Sequence, residues 1–558
     1  MTVETKLKRV STMVFLCAAM VTTLQAQVFT SLFSFSGTDG GFPTYVLLAQ
    51  GLDGSLYGTS SFGGTHGYGT IFKVTTVGTL ITLYDFCALS NCADGAYPEA
   101  GLTLAPDGSF YGTTEFGGGG PCNLGGTAGC GTIFKITPSG VLSTLHSFSG
   151  DDGAYPLSQL TNAADGKFYG TTEGGGTFGG GTIFRITASG IMNTVRSFAG
   201  FNGSEPYGGV TEGSDGNLYG TTKSGGSKNL GTVFKLSPVG RLTTLYSFCV
   251  RVNCVDGAFP QAALIEAADG NFYGTTYQGG DGNNDGTVFQ ITRKGTFRTL
   301  HRFNLADGTS PLAPLVQGTD GNLYSTTYGG GMYGSGTIFE ISRSGELTTL
   351  YSFCKDHRCP DGYFPYGGLT QGTDGNFYGT TYVGGVNGGA GTIFSLDMSL
   401  GPCIKFVNDK GRAGQTGGIL GQKLTGTTGV LLGGISVDYT VVSDTFVRIT
   451  IPSGATTGFV TVTTPSGILQ SNVPFRVLPQ LLSFDPPSGP PGTQVTITGV
   501  SLTQTLGVGF GDRVQSQFAV NSDTSVTATV PQGAKTGKIG IETKGGVAIS
   551  QGTFEVTE

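Results

Sequence analysis

The stretch Asp107-Gly-Ser-Phe-Tyr-Gly-Thr113 decides the fold, because its pattern occurs seven times along the chain. The pattern D-G-x-[LF]-Y-[GS]-T begins at Asp53, Asp107, Asp165, Asp215, Asp269, Asp320 and Asp374, with spacings of 54, 58, 50, 54, 51 and 54 residues. A second pattern, G-T-[IV]-F, follows each copy, at Gly69, Gly131, Gly181, Gly231, Gly286, Gly336 and Gly391. Periods near 50 residues with glycine and aromatic punctuation are typical of propeller blades or of a solenoid.

Each repeat predicts four short antiparallel strands. In the sixth repeat we expect them at 314–317, 322–328, 337–342 and 347–353. The Asp-Gly pair between the first two strands and the Ser-Gly pair between the last two indicate tight hairpin turns, where glycine adopts positive φ easily. In antiparallel strands, successive turns lie on opposite faces, so both of these hairpins lie on one face. The second-to-third-strand loops and the connections between repeats lie on the opposite face, which we call the long-loop face.

The two ends of the array distinguish a ring from a solenoid. A fourth strand of the type T-L-Y-S-F ends at Phe86, Phe148, Phe198, Phe248, Phe303 and Phe353, six copies for seven repeats. The seventh copy lies at 29–35, before the first repeat. An N-terminal strand that completes the last blade removes the free sheet edge, whereas a solenoid needs polar capping repeats. The sequence therefore predicts an all-β fold with a seven-bladed β-propeller over 27–398, closed by its N-terminal strand.

A second self-similarity follows the repeats. Ser443-Asp-Thr445 matches Ser522-Asp-Thr524 at an offset of 79, and Phe406 matches Phe484 at an offset of 78. Alternating runs such as Gln494-Val-Thr-Ile-Thr498 indicate half-buried strands. We expect two Ig-like β-sandwich domains, at 399–478 and 479–558.

These motifs resemble two known families. The unit D-G-x-[FL]-Y-G-T-T…G-T-[IV]-F…T-L-x-x-F resembles the GloVer-type tandem repeat of secreted bacterial proteins. The stretch Phe484-Asp-Pro-Pro-Ser-Gly-Pro-Pro-Gly492, with S-D-T and P-x-G-A-x-T-G after it, resembles the IPT/TIG immunoglobulin-like family. The first resemblance implies no established activity. The second implies a spacer or a binding module.

Composition and the N-terminus limit the function classes. Charged residues make up 12% of the 558 and the net charge is −7, so a nucleic-acid partner is not expected. Residues 1–26 combine a basic start, an apolar run and a small residue at the cleavage point, which predicts a signal peptide. No later run reaches the roughly 18 apolar residues of a membrane span. We expect a monomer without a cofactor, extracellular or at the cell surface, with the periplasm as an alternative.

The cysteines indicate the same compartment. Three repeats carry F-C-x₄-C-x-D-G, each with a four-residue insertion, and a fourth pair lies in the longest second-to-third-strand loop. We predict four disulfides within these loops: Cys87/Cys92, Cys122/Cys130, Cys249/Cys254 and Cys354/Cys359. No C-x₂-C spacing or histidine cluster supports zinc instead. Cys403 is left over, as a buried free thiol or an intermolecular contact.

The candidate site is a position at which the repeats differ. Two residues after the first threonine of Y-[GS]-T stand Ser61, Glu115, Glu173, Lys223, Tyr277, Tyr328 and Tyr382, where the second strand leaves for the long-loop face. Tyrosine rings followed by charged hydrogen-bonding groups suit a polyol, so we predict a ligand site formed by Glu115, Glu173, Lys223, Tyr277, Tyr328 and Tyr382. Glu115 and Glu173 would also offer a carboxylate pair for glycoside chemistry. A solvated rim is the alternative.

A weaker candidate concerns calcium. Asp281, Asn283 and Asp285 copy the first half of an EF-hand loop, but Thr292 stands at the position of the bidentate glutamate. We therefore expect no metal.

The function expected from these features is non-catalytic recognition of an extracellular glycan or protein on the long-loop face. One alternative is a carbohydrate-active enzyme, a hydrolase or lyase, that uses the carboxylate pair on the same face. Another is a structural component of the cell envelope.

Overall fold

The computed structural model describes residues 27–124, 127–280, 282–511 and 514–558. The predicted signal peptide at 1–26 lies outside the described residues. The described residues form β-strands joined by turns, with two short 3-10 turns at Ser90–Cys92 and Val252–Cys254. None of their helical segments is long and apolar enough to cross a membrane. The all-β prediction is confirmed.

The seven repeats form seven four-stranded antiparallel sheets, which we number repeat sheets 1 to 7 in chain order. Their first strands are Ala49–Gln50, Thr103–Leu104, Thr161–Asn162, Val210–Glu212, Ile265–Glu266, Val316–Gln317 and Thr370–Gln371. The second strands are Leu56–Ser60, Phe110–Thr114, Phe168–Thr172, Leu218–Thr222, Phe272–Thr276, Leu323–Thr327 and Phe377–Thr381. The third strands are Thr70–Val74, Thr132–Ile136, Thr182–Ile186, Thr232–Leu236, Thr287–Ile291, Thr337–Ile341 and Thr392–Asp397. The fourth strands are Leu80–Asp85, Leu142–Ser147, Met192–Ser197, Leu242–Ser247, Phe297–Arg302, Leu347–Ser352 and, in sheet 7, Val28–Ser34.

Sheet 7 takes its fourth strand from the N-terminus. Val28–Ser34 pairs antiparallel with Thr392–Asp397, and Val28 lies opposite Asp397. The Phe29 ring stacks on Tyr351 of sheet 6 at a centroid distance of 4.0 Å. The strand before the first repeat thus takes the place that, in the other six sheets, belongs to the strand after the second hairpin of the same repeat.

Buried phenylalanines hold neighbouring sheets together. The phenylalanine that directly follows each fourth strand is at most 1% exposed. It contacts the third-strand phenylalanine of the next sheet, for example Phe86 with Phe134 at 5.3 Å and Phe198 with Phe234 at 5.2 Å. The seventh such contact joins Phe35, after the fourth strand of sheet 7, to Phe72 of sheet 1 at 5.4 Å. Burying one such ring stabilises the fold by about 1.5–3 kcal/mol.

The repeated aspartates shape the first hairpin of each sheet. In sheet 4 the Asp215 carboxylate accepts a hydrogen bond from the Asn217 backbone N–H at 3.2 Å and from Tyr219 Oη at 2.8 Å. Gly216 between them has φ +73°, which glycine adopts without steric cost. Because all seven aspartates accept from the backbone two residues on, they act as turn formers.

The predicted cysteine pairing is confirmed. Disulfides join Cys87–Cys92, Cys122–Cys130, Cys249–Cys254 and Cys354–Cys359. In the first of these loops Asp94 is fully buried and accepts hydrogen bonds from Tyr84 Oη at 2.9 Å and from the Ala88 backbone N–H at 3.0 Å. Cys403 is a buried free thiol, as one of the two expectations had it.

Two further β units follow the repeats, each with two four-stranded sheets and its own apolar core. The first unit contains Lys405–Phe406, Thr416–Leu420, Phe446–Thr450 and Asp438–Ser443 in one sheet, and Ile435–Ser436, Gly429–Leu432, Val460–Thr464 and Gly467–Gln470 in the other. The second contains Gln480–Asp485, Gln494–Val500, Ser525–Thr529 and Phe518–Ser522, facing Val514–Gln515, Thr505–Phe510, Ile539–Thr543 and Gly546–Ile549. A parallel pair completes each unit: Lys410–Gly411 with Arg476–Val477, and Ser488–Gly489 with Glu555–Val556. The strand order is the same in both.

The first of these units docks on the Asp-Gly hairpins. Lys410 Nζ lies 2.7 Å from Glu212 Oε2, and the Arg476 guanidinium lies 3.4 Å from the same oxygen; all three side chains are less than a tenth exposed. Thr445 Oγ1 donates to the Leu52 carbonyl at 2.7 Å. The hairpin side of the sheets is therefore covered by the first unit, at the end of the strands away from the long connections.

Candidate functional site

The sequence-predicted positions lie where each second strand ends, and paired threonines hold them there. In sheet 2, Thr114 Oγ1 is 2.8 Å from Thr132 Oγ1 of the third strand, and both threonines are fully buried. The adjacent Thr113 Oγ1 donates to the Pro156 carbonyl of the next repeat at 3.3 Å. Glu115 follows directly. Two buried threonines precede its counterparts in sheets 3 to 7, and in sheet 1 the second of them is Ser60, which pairs with Thr70, so this position is set by the repeat itself.

A second set of residues, which sequence reasoning missed, lies beside the first. These residues precede the first strands: Tyr45, Glu99, Leu157, Tyr207, Gln261, Leu312 and Tyr366. In six repeats the residue directly follows a repeated proline, and in the first repeat the segment from Pro43 to Leu48 is one residue longer than from Pro98 to Leu102. The signal was therefore present, because the proline repeats while the residue after it does not.

Tyr45 extends from sheet 1 across the opening between the sheets. Its hydroxyl is 3.5 Å from Gln261 Oε1, which precedes the first strand of sheet 5. Its ring lies 5.7 Å from Tyr366 and 6.5 Å from Tyr207, before the first strands of sheets 7 and 4. Burial, followed by the charge of Glu99, raises the pKa of the Tyr45 hydroxyl, so it remains protonated and can donate.

The charges of Glu99 and Glu173 both act on Glu115, so a third carboxyl group accompanies the predicted pair, whose role in binding or catalysis stays a prediction. Burial, with Glu99 and Glu173 as further causes, raises the pKa of Glu115 to about 9. Burial and the charge of Glu173 raise the pKa of Glu99 to about 7. Neither the Glu99 nor the Glu115 carboxyl has a hydrogen-bonding partner in the described part of the chain. At neutral pH Glu115 is therefore a protonated carboxyl that can donate a hydrogen bond.

Glu173 is the carboxylate with protein partners. Its Oε1 accepts from Tyr207 Oη at 2.7 Å. Lys223 Nζ lies 3.3 Å from the same Tyr207 hydroxyl, 4.5 Å from the centre of the Tyr207 ring and 3.7 Å from Glu205. Burial raises the pKa of Glu173, while Tyr207 and Lys223 act against that rise. Glu173 is thus the member of the three best suited to remain ionised.

The three predicted tyrosines differ in their surroundings. Tyr328 stacks on Phe364 at 4.5 Å, and Tyr382 meets Tyr366 edge-on at 5.1 Å. No ring contact involves Tyr277 among the described residues. All three are half-buried. Tyr277 is therefore the freest of them to meet a ligand, while Tyr328 and Tyr382 also pack against protein.

Two cavities share this opening. The outer cavity has a volume of about 390 Å³ and is lined by Tyr45, Lys223, Phe259, Gln261, Tyr277, Gln278, Leu312 and Tyr366. The inner cavity, of about 470 Å³, is lined by the first strands of all seven sheets and extends to the first C-terminal unit. Tyr45, Gln261, Leu312 and Tyr366 line both. None of the three glutamates lines either cavity within the described residues. The outer cavity is therefore bounded by tyrosine, lysine and glutamine side chains together with Phe259 and Leu312.

The weak calcium candidate stays an alternative to the expectation of no metal. Asp281 lies outside the described residues. Asn283 is exposed and Asp285 is half-buried.

Comparison with known proteins identifies the repeats and the last unit. The family described as the Gloeobacter/Verrucomicrobia repeat matches residues 18–121, 120–283 and 250–447. The IPT/TIG domain matches residues 479–556. No curated protein matches the chain significantly.

Several solved structures are distantly similar. A surface glycan-binding protein from Prevotella bryantii is 17% identical, over 26% of this chain and 38% of that one, with a TM-score of 0.22. A candidate 6-phosphogluconolactonase from Bacteroides uniformis ATCC 8492 is 17% identical over 58% of this chain and 88% of that one, with a TM-score of 0.40. The extracellular domain of a candidate hybrid two-component system from B. thetaiotaomicron is 10% identical over 94% and 58%, with a TM-score of 0.45. The chain spans less than half the length of the first, and similarity at this level carries no conclusion about function.

Proposed function

The chain belongs to the Gloeobacter/Verrucomicrobia repeat family, and we propose that it is an exported, non-catalytic protein that binds a glycan. The proposed binding site is the outer cavity between the repeat sheets. The observation that carries the proposal is the lining of that cavity. Tyr45, Tyr277 and Tyr366 offer rings for the apolar faces of a sugar. Lys223 and Gln261 offer groups that hydrogen-bond to its hydroxyls.

The proposal rests on an architecture that we infer from contacts between sheets. We take the repeat sheets as blades of a closed seven-bladed propeller over 27–398, followed by Ig-like domains at 399–478 and 479–558. The Phe35–Phe72 contact between sheets 7 and 1 supports closure, as does the hydrogen bond from Thr370 Oγ1 to the Leu48 carbonyl at 2.7 Å. A ring explains why positions about 50 residues apart in sequence border one opening.

An extracellular or cell-surface location fits the four disulfides, because such bonds persist in oxidising compartments. Export would depend on residues 1–26, which we take as a signal peptide. We propose that the exported protein is a monomer, and light scattering coupled to size exclusion measures this directly.

The test is a screen of glycans and polysaccharides, followed by one substitution. We expect a glycan that binds without being cleaved, and Tyr277→Ala should weaken that binding about twofold to tenfold. Tyr328 and Tyr382 do not line the outer cavity, so replacing them together with Tyr277 should add little to the loss of binding that Tyr277→Ala causes. Tyr277 has no ring partner among the described residues, so the single variant should melt like the wild type.

A matched control is Tyr333→Ala. Tyr333 is 40% exposed, follows the second strand of sheet 6 on the long-loop face and does not line the outer cavity. Its substitution should leave glycan binding unchanged. Equal losses in the two variants, or full binding by Tyr277→Ala, would place the ligand elsewhere.

A second candidate is a carbohydrate-active enzyme, a hydrolase or lyase, and one specific observation favours it. Glu115, with its raised pKa, and Glu173, held by Tyr207, are neighbouring carboxyl groups with different tendencies to ionise. Such a pair suits a general acid and its ionised partner. Turnover of a bound glycan that Glu115→Gln abolishes, with binding retained, would establish this candidate over the first.

A further inference from the structure

The inner cavity ends on a single charged side chain. Its floor is formed by the first C-terminal unit, through Lys405, Phe406, Val407, Leu420 and Asn472. Of all residues that line this cavity in the described chain, Lys405 alone carries a charge. The strand Lys405–Phe406 therefore presents an ammonium group at the far end of a space that begins at Tyr45.

Among the described residues, no carboxylate is within ion-pairing distance of the Lys405 ammonium. Its Nζ donates to the Gln371 carbonyl at 2.7 Å. The carboxylate of Asp374, which influences it from a distance, already accepts from Tyr378 Oη at 2.5 Å and Asn376 Nδ2 at 3.1 Å. Lys405 is half-buried, and proteins seldom withdraw a lysine ammonium from water without pairing it.

Lys410, in the same unit, is a buried lysine that forms ion pairs. Its Nζ is 2.7 Å from Glu212 Oε2 and 3.6 Å from Asp409 Oδ1. Both lysines face the repeat sheets, and one is ion-paired while the other borders open space. Burial lowers the pKa of Lys405, so an anion bound beside it would stabilise its charged form.

The walls between the opening and this floor suit a sugar. Four threonine hydroxyls donate to carbonyls of the neighbouring sheet and keep their oxygen lone pairs for another donor: Thr103, Thr161, Thr211 and Thr370. Ile265 and Val316 supply apolar surface between them. A volume of about 470 Å³ lies within the usual range of small-ligand sites, roughly 300–1,000 Å³.

We propose that the inner cavity receives the carboxylate-bearing end of an acidic saccharide, with Lys405 Nζ as the group that binds the carboxylate. This inference rests on the proposed function, because the same glycan would enter past Tyr45 from the outer cavity. The expected ligand is therefore a saccharide chain that ends in a uronic-acid type of residue. A neutral terminal sugar would leave the Lys405 ammonium without an anion.

The test compares two probes by calorimetry: a disaccharide ending in glucuronic acid and the same disaccharide ending in glucose. A hydrogen bond to a charged group is strong enough for the acidic probe to bind the wild-type protein about tenfold to a hundredfold more tightly. Lys405→Met should remove this preference and leave the neutral probe unaffected. The matched control is Lys423→Met, since Lys423 is an exposed lysine of the same unit.

The outcomes separate the two proposals. Equal affinity of the wild-type protein for both probes overturns the role of Lys405 and leaves glycan binding intact. A preference that persists in Lys405→Met overturns it as well. Failure of both probes to bind overturns the proposed function together with this inference. The wild-type comparison stays decisive even where the melting temperature of Lys405→Met falls.

Discussion

Glu212→Gln should release the first C-terminal unit from the repeat sheets. The substitution keeps the shape of the side chain and removes the charge that pairs with Lys410 at 2.7 Å and Arg476 at 3.4 Å. These cations are 5% and 9% exposed, and their remaining anionic partner, Asp409, lies 3.6 Å and 3.8 Å away and is 44% exposed. In the docked state of the variant, Asp409 would be the one anion left beside the two buried cations among the described residues, and Arg476 Nη1 would keep its hydrogen bond to the Gly213 carbonyl at 3.0 Å.

The size of the effect of Glu212→Gln on docking follows from the burial of the ion pair. Removing one partner of a buried ion pair costs about 3–5 kcal/mol. Undocking returns both cations to water, so this cost falls on the docking equilibrium and leaves the repeat sheets folded. At about 1.4 kcal/mol per factor of ten, the undocked fraction should rise roughly 100-fold to 4,000-fold.

Cys403 provides the assay. Its thiol is 3% exposed, and its backbone N–H donates to the Thr373 carbonyl of sheet 7 at 2.9 Å. Burial raises the pKa of Cys403 to about 11, so the docked thiol reacts slowly. Its alkylation rate by N-ethylmaleimide, followed by mass spectrometry, should increase in the variant by the factor given above.

The control is Glu542→Gln, which removes a carboxylate that is 44% exposed and 3.8 Å from Arg293. An exposed pair contributes about 0–1 kcal/mol, so the rate should change by less than about fivefold. A change of the same size in Glu212→Gln would refute the view that the buried ion cluster holds the two parts together.

Three further outcomes are expected. Peptide mapping without reduction should recover the four loop disulfides and an unmodified Cys403; a disulfide between different repeats would contradict the pairing. Deleting 28–35 should expose the edge of Thr392–Asp397 and promote aggregation, visible by light scattering, and a monomer with unchanged melting would show that this strand is dispensable. Glu115→Gln should act on the pH dependence of stability. Because the folded protein holds the Glu115 proton up to a pKa of about 9, against 4.5 in the unfolded chain, wild-type stability falls as pH rises through that window. The variant should therefore melt like the wild type near pH 4 and at higher temperature near pH 8.5; a difference that does not vary with pH would show that Glu115 does not titrate in this way.

The sheets could be predicted because their determinants are local. Asp215 and Gly216 define a hairpin within four residues, and the same Asp-Gly pair occurs in each copy of the pattern. The cysteine pairs were predictable for the same reason, since each lies in one short insertion. The phenylalanine that directly follows each fourth strand was visible as a repeated residue, although only the structure shows that it packs on the next sheet.

The candidate site could be predicted in part. Glu115, Glu173 and Tyr277 were visible because they vary where the repeat is otherwise constant. Glu99 and Tyr45 were missed, although the residue after the repeated proline varies just as clearly. The variation at this position indicates a site only once it is known that the different repeats border a common opening.

The strands, the turns, the disulfides and the order of the units can be derived from the sequence, because each depends on residues close together in the chain. The interactions between distant residues are visible only in the folded protein: the Tyr45 hydroxyl lies 3.5 Å from Gln261 Oε1, the charges of Glu99 and Glu173 act on Glu115, and Lys405 lies at the end of the inner cavity. These contacts join residues from separate repeats or separate units, so they depend on how the sheets associate. The burial that raises the pKa of Glu115 and lowers that of Lys405 arises from the same association.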